Sequence, residues 1–86
     1  MYKIVLTRQA QKDYTYLLQV NRPIFNRIRA GLHFIAKDPH QGKPLKLILK
    51  GKWSHRVGMY RIIYSIERNI LTVYVFDIGH RREVYR

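Results

Sequence analysis

Cysteine is absent from the 86-residue sequence, and glycine and proline are scarce, with 5 and 3 residues. Without cysteine the chain has no disulfide bond, no thiolate metal ligand and no cysteine nucleophile. Hydrophobic residues make up 47% of the sequence, which is typical of a folded protein rather than a disordered tail. Because a chain this short has room for one hydrophobic core, we predict a single domain over residues 1–86.

Long apolar runs are also missing. Residues 1–14 contain no uninterrupted apolar stretch of signal-peptide length. No window approaches the roughly 18 apolar residues that cross a membrane as a helix. We therefore expect a cytoplasmic protein that does not associate with a membrane.

Acidic residues are few: 5 Asp and Glu stand against 17 Lys and Arg, which gives a formal net charge of +12. A two-metal nuclease needs clustered carboxylates, and these acids are scattered. The sequence has no metal-ligand spacing and no glycine-rich phosphate loop, so we predict no metal, cofactor or small-molecule ligand. The excess positive charge indicates a polyanionic partner: RNA, DNA, an anionic membrane or an acidic protein.

Two amphipathic helices are predicted after a short first strand at residues 2–6. Thr7 is placed to cap the first helix. The apolar positions of that helix are Ala10, Tyr14, Leu17 and Leu18. Asn21 and Pro23 mark the start of the second helix, which runs to about Lys37. Its apolar stripe consists of Phe25, Ile28, Leu32 and Ile35.

The sequence after Leu45 is rich in strand-forming residues, in the segments KLIL, KWSHRV, YRIIYSI and ILTVYVFDI. We predict an α+β fold with the order β-α-α-β-β-β. In this fold a two-helix hairpin packs on one face of a small, mainly antiparallel sheet, and a short C-terminal tail follows.

The dipeptide Gly58-Met59 predicts a two-residue type II′ turn, because glycine occupies its first central position. That turn sets Arg56 opposite Arg61. Alternation then puts one set of side chains on the core face: Trp53, His55, Val57, Tyr60, Ile62, Tyr64 and Ile66. The other face receives Lys52, Ser54, Arg56, Arg61, Ile63 and Ser65.

Arginines that face each other across two strands repel, so we interpret the pair as a grip on a phosphate. A longer turn would change the register and leave these arginines scattered on the surface. If Leu71, Val73 and Val75 enter the core, then Thr72, Tyr74 and Phe76 flank the arginines as a platform for unpaired bases. Tyr74 and Phe76 are alternatively core residues of a central strand.

The C-terminal sequence GHRREVYR concentrates basic and titratable groups after the last strand. His80 and Tyr85 could exchange protons there, whereas Arg81 and Arg82 remain charged. Acid–base chemistry beside a phosphate is therefore possible.

Several of these segments resemble the RelE/ParE superfamily of bacterial and archaeal toxins. The resemblance lies in Ala10, Lys12 and Asp13 of the first helix, the connection PHQGKPL, the hairpin WSHRVGMYRIIY and the ending IGHRREVYR. It implies a toxin that a cognate, acidic antitoxin neutralises. RelE-type members cut messenger RNA in the ribosomal A site without a metal, by attack of the ribose 2′-hydroxyl on the adjacent phosphate.

The resemblance also assigns residue roles. Arg61 and Arg81 would stabilise the pentacovalent phosphate, Arg56 would hold a phosphate, and Tyr85 would stack on a base or assist proton transfer. His80 is the candidate general base. The positions expected to bind RNA or its phosphates are Lys52, Ser54, Arg56, Phe76 and Arg82.

Two other functions stay open at this point. ParE-type members inhibit DNA gyrase on the same scaffold, so the fold alone does not decide the target. The chain is alternatively an RNA-binding toxin without catalytic activity. The partners expected for the endoribonuclease are the antitoxin, messenger RNA in the ribosomal A site and ribosomal RNA.

Overall fold

The computed structural model describes residues 1–80, and residues 81–86 lie outside that range. The described part contains two α-helices and one five-stranded sheet of order β1-β5-β4-β3-β2. The elements are β1 (Lys3–Leu6), α1 (Arg8–Val20), α2 (Arg22–Lys37), β2 (Lys43–Pro44), β3 (Trp53–Val57), β4 (Tyr60–Glu67) and β5 (Thr72–His80). β1 runs parallel to β5 and the other strand pairs are antiparallel, which confirms the predicted α+β fold.

Both helices begin at the predicted capping residues. The Thr7 Oγ1 accepts a hydrogen bond from the Ala10 amide at 3.3 Å, and the Asn21 Oδ1 accepts one from the Ile24 amide at 3.2 Å. These bonds satisfy amides that have no partner inside the helix. Among residues 1–80, neither helix is long and apolar enough to cross a membrane.

The hydrophobic core lies between the two helices and one face of the sheet. Its largest fully buried side chains include Ile28 and Ile35 of α2, Ile62 and Tyr64 of β4, and Val75 of β5. The predicted stripe of α2 therefore faces the core.

Leu18 was predicted on the apolar stripe of α1, and this is wrong. Its side chain is 39% exposed because the helix turns it away from the sheet.

The hairpin of β3 and β4 has the predicted register, with Arg56 opposite Arg61 and Val57 opposite Tyr60. Gly58 has a φ angle of +60°, whereas Met59 is not among the residues with positive φ. A positive φ at the first central position alone is what a type II′ turn requires. The longer-turn alternative is therefore excluded.

The segment KLIL does not form the predicted strand. Residues Leu47–Leu49 form a short 3-10 helix, and Leu47 and Ile48 are 90% and 97% exposed. The Lys50 amide donates to the Leu47 carbonyl at 3.0 Å, which closes a turn where a strand would need extended backbone. The short edge strand β2 precedes this turn and ends at Pro44, which has no amide to donate.

Leu71 does not enter the core, so the condition under which Leu71, Val73 and Val75 all face the core is met only in part. It has a φ angle of +46° at the end of a 3-10 turn that joins β4 to β5, and it is 54% exposed. Val73 and Val75 are fully buried, as predicted.

A β-bulge interrupts the pairing of β4 with β5. Ile63 pairs with Asp77 whereas Tyr64 pairs with Val75, so Phe76 has no opposite residue. An extra residue reverses the alternation of side chains beyond it. Asp77 therefore lies on the face away from the helices, and the buried Ile78 faces the core.

Tyr64 anchors the connection after α2. Its hydroxyl donates a hydrogen bond of 2.6 Å to the Pro39 carbonyl, and burial raises the pKa of this phenol to about 12. A Cβ atom at Gly42 would collide with the Tyr64 hydroxyl. The connection PHQGKPL thus needs both a glycine and a tyrosine partner.

We expect Tyr64→Phe to lower the free energy of unfolding by about 1–2 kcal/mol, because the Pro39 carbonyl loses its buried donor. Urea denaturation measures this change. Tyr16→Phe is the control: its side chain is 63% exposed, and we expect a change within about 0.5 kcal/mol. Equal stability of both variants would show that the hydroxyl does not hold the loop.

Candidate functional site

The sheet face away from the helices carries the predicted phosphate-binding arginine. We call it the outer face. The outer-face cluster consists of Lys52, Ser54, Arg61, Phe76 and Asp77. Arg61 is half-buried, and its Nη1 lies 3.4 Å from the Oγ of the buried Ser54. The packing holds this guanidinium against the sheet.

Lys52 and Phe76 lie next to each other on this face. The Lys52 Nζ is 4.7 Å from the centroid of the Phe76 ring, which is within the range of a cation–π contact. Phe76 is half-buried because it occupies the bulge and not the core. Tyr74 is also half-buried and lies opposite Ser65, so neither aromatic is a core residue.

Asp77 is a titratable residue on this face that the sequence analysis did not select. It is half-buried, diagonal to Arg61 in the sheet. Burial raises the pKa of its carboxyl, the nearby Asp13 carboxylate raises it further, and the Lys52 ammonium opposes both effects. The signal in the sequence was a lone acid within an otherwise apolar strand, but simple alternation with Val75 puts it in the core.

Asp13 supplies a hydrogen-bond acceptor to the edge of β5 beyond the end of β1. Its Oδ2 accepts a hydrogen bond of 3.2 Å from the Ile78 amide, and its Oδ1 accepts one of 2.9 Å from the Gln9 side chain. An aspartate in α1 thus satisfies a strand amide that β1 is too short to reach. This contact gives a structural reason for Asp13 in the first helix.

The guanidiniums of Arg56 and Arg61 diverge although their backbones are opposite. The exposed Arg56 follows the hairpin edge, and its Nε donates a hydrogen bond of 3.4 Å to the Gly58 carbonyl. Arg61 instead lies over Ser54. The structure therefore does not bring the two guanidiniums together on one phosphate, because each side chain has its own partner.

His80 lies on the helix side of the sheet. It is opposite Tyr60 in the sheet, and the two rings are 5.7 Å apart at an angle of 73°. Both line a cleft of about 280 Å³ beneath α1. The bulge at Phe76 causes this placement, so the sheet separates His80 from the side chain of Arg61.

The remaining predicted site residues, Arg81, Arg82 and Tyr85, lie outside the described residues. Within residues 1–80, no group of three His, Asp or Glu side chains is arranged to hold a metal ion.

A comparison with protein-family models matches residues 4–85 to the ParE toxin of type II toxin–antitoxin systems. The chain is 34% identical over 77 residues to Toxin YoeB of Synechocystis, a match that covers 83% of this chain and 90% of that toxin. It is 42% identical over 53 residues to Toxin RelG of Mycobacterium tuberculosis, covering 60% of this chain and 61% of the relative.

Solved structures contain the same fold. A chain in the toxin–antitoxin complex RelBE2 of Mycobacterium tuberculosis superposes with a TM-score of 0.82 and 28% sequence identity. The superposition covers 93% of this chain and 98% of that chain.

We expect Asp77→Asn to raise the melting temperature by a few degrees at pH 7. A carboxyl whose pKa is raised on folding contributes stability below its unfolded pKa and loses that contribution as the pH rises through its folded pKa. Asparagine does not ionise, so the difference should shrink as the pH falls below both pKa values. Circular dichroism melting curves at several pH values measure it.

Glu67→Gln is the matched control, since it removes the same charge at an exposed position. A lower melting temperature for Asp77→Asn than for this control at pH 7 would contradict the buried-carboxyl interpretation.

Proposed function

We propose that this chain, which belongs to the RelE/ParE superfamily of type II toxin–antitoxin toxins, is a ribosome-dependent endoribonuclease that cleaves messenger RNA. The observation that carries the proposal is the position of Arg61 on the outer face, diagonal to the carboxyl of Asp77. A fixed cation and a proton acceptor on one surface are two of the groups that phosphodiester cleavage uses.

The proposed reaction starts with a ribose 2′-hydroxyl. Its oxygen forms a bond to the adjacent phosphorus, the bond from phosphorus to the 5′-oxygen breaks, and a 2′,3′-cyclic phosphate and a 5′-hydroxyl result. Negative charge grows on the phosphoryl oxygens as the pentacovalent phosphate forms. The donors of Arg61, held by packing and by Ser54, stabilise that charge without having to reorganise. Arg81 is proposed as the second such cation.

Asp77 is the proposed acceptor of the 2′-hydroxyl proton. Its raised pKa makes it a stronger base than an exposed carboxylate, while the Lys52 ammonium favours its ionised form. His80 was the candidate on sequence grounds, but its side chain lies across the sheet from Arg61. Tyr85 keeps its proposed role in stacking or in returning a proton to the leaving oxygen.

Lys52 and Phe76 form the proposed contact to the nucleotide beside the cut. The ring offers a surface on which a base can stack, and the ammonium above it attracts a phosphate. Ser54 acts by orienting Arg61. Arg82 is proposed to bind a further phosphate of the bound RNA.

The proposed protein partner is an acidic antitoxin. A net charge of +12 favours a polyanionic partner, and the superposed RelBE2 chain comes from a toxin–antitoxin complex. The ribosomal A site, with its messenger RNA and ribosomal RNA, is the proposed place of action.

Inhibition of DNA gyrase is the second candidate function, and the match to the ParE toxin model favours it. The similarity to the toxins YoeB and RelG and the outer-face cluster favour RNA cleavage. Two assays with the purified chain separate the candidates. Loss of the supercoiling activity of gyrase, together with intact messenger RNA on ribosomes, would identify gyrase as the target.

We expect Arg61→Ala to lower the rate of messenger RNA cleavage on programmed ribosomes by about 100-fold, because one fixed donor to the phosphoryl oxygens is lost. Primer extension on the message measures the cut. Arg68→Ala removes the same charge from an exposed turn after β4 and should cleave at the wild-type rate. Wild-type cleavage by Arg61→Ala would refute this site.

The assignment of the base predicts different effects of Asp77→Asn and His80→Gln. We expect Asp77→Asn to lower the single-turnover rate by about 100-fold, since it removes the proton acceptor. In the wild type the rate should rise with pH through the raised pKa of Asp77 and level off above it. The opposite pattern, loss in His80→Gln and wild-type cleavage in Asp77→Asn, would place the base at His80.

A further inference from the structure

A second cationic site lies between α2 and the turn of the β3–β4 hairpin. It is a cleft of about 370 Å³, which we call the turn cleft. The residues that line it include Arg27, Phe34, His55, Arg56 and Gly58. None of these residues belongs to the outer-face cluster around Arg61.

Two guanidiniums converge on Gly58 in this cleft. The Arg56 Nε donates to the Gly58 carbonyl at 3.4 Å. The Arg27 Nη2 lies 3.1 Å from the position that a Cβ atom on Gly58 would occupy. Gly58 is thus needed both for its positive φ and for the room that Arg27 takes.

These two charges have no acidic neighbour in the described part of the chain. The ion pair found in residues 1–80 joins His40 to Asp38, which lie in the connection after α2. Both Arg27 and Arg56 are exposed, so solvent screens their repulsion. Two such cations held at one turn form a site for an anion, and their donor geometry suits a phosphate.

An aromatic surface adjoins the two arginines. The ring of Phe34 stacks on the imidazole of His55, with centroids 5.1 Å apart and planes inclined by 22°. Burial lowers the pKa of His55, which favours the neutral imidazole. Phe34 remains 47% exposed although it is a large apolar side chain, and its accessible part is available to a further flat group.

The close fit of α2 against the hairpin fixes the cleft. A Cβ atom on Gly31 would lie 3.1 Å from the Val57 Cγ2 and 3.3 Å from the His55 ring. Only a residue without a side chain lets the helix approach this closely without displacing its neighbours. The aromatic surface and the two guanidiniums are therefore held on packed elements.

We propose that the turn cleft binds one nucleotide of single-stranded RNA, with its phosphate on Arg27 and Arg56 and its base on Phe34. The combination of two cations with a flat stacked ring matches a nucleotide better than it matches a carboxylate side chain, which has no base to stack. The inference rests on the proposed function only in taking RNA as the ligand. It adds an anchoring contact away from the site of cleavage.

The test measures the affinity of the free protein for a short fluorescent RNA that carries 2′-O-methyl groups and is not cut. We expect Arg27→Gln to weaken binding about fivefold and to reduce the slope of log K against log salt by about 0.7, the value for one lost phosphate contact. Arg29→Gln removes the same charge from a position outside the cleft and should change affinity less than about twofold.

The stacking contact has its own variant. We expect Phe34→Leu to weaken binding about tenfold on the normal strand and to have no effect where the strand is abasic throughout. Phe34→Tyr keeps an aromatic ring and should bind the normal strand as the wild type does. This control separates a loss of stacking from a loss of folding. Circular dichroism monitors the fold of each variant.

Wild-type affinity in both Arg27→Gln and Phe34→Leu would overturn the proposal, and so would failure of the wild-type protein to bind the strand. Unchanged RNA binding with weaker binding to the cognate antitoxin would also overturn it and assign the cleft to a protein. If the strand binds as expected but ribosomal messenger RNA stays intact, the proposed function fails and the turn cleft stands.

Discussion

The pairing of β5 with both β1 and β4 joins the first and last described strands in one sheet. Two members of the outer-face cluster depend directly on that pairing, because β5 carries Phe76 and Asp77 and positions them beside β4. The bulge at Phe76 is the constraint that decides their direction. Without the extra residue, alternation from Val75 would turn Asp77 into the core and His80 to the outer face.

The scarcity of acidic side chains shapes the surface in a second way. Asp13 is occupied with the Ile78 amide, and Asp38 accepts hydrogen bonds from the His40 amide and the Gln41 side chain. Asp77 is half-buried in the sheet. Asp13 and Asp38 serve local structure and Asp77 is held within the sheet, so these three acids neutralise little of the arginine and lysine charge. A domain with this arrangement attracts polyanions broadly and discriminates among them where neighbouring groups position its cations.

Two such places emerge, and they differ in chemistry. On the outer face, Arg61 is half-buried and shares the surface with a carboxyl that can accept a proton. In the turn cleft, Arg27 and Arg56 are exposed and adjoin the Phe34 ring, and the imidazole of His55 stacks on that ring. The first arrangement is suited to breaking a phosphodiester bond, and the second to holding one. The same short hairpin carries both, because alternation directs His55 towards α2 and Arg61 to the outer face, while the Arg56 side chain follows the hairpin edge to Gly58.

The sequence by itself determined the elements that depend on neighbouring residues. Local hydrogen bonding and backbone preference account for the caps at Thr7 and Asn21 and for the turn at Gly58-Met59. That turn sets the register of Arg56 with Arg61. The resemblance to a toxin family was likewise visible in the sequence.

Only the tertiary structure decided where side chains point once two strands had been paired. The bulge at Phe76 arises from the pairing of β5 with β4. The 3-10 turn at Leu47–Leu49 and the separate directions of Arg56 and Arg61 rest on hydrogen bonds over two to seven positions, which residue type alone does not predict. A strand of apolar residues such as β5 gives no alternation from which to read its faces, since both faces accept an apolar side chain. For this reason the packing of β5, and not its sequence, places Asp77 on the outer face and His80 on the helix side of the sheet.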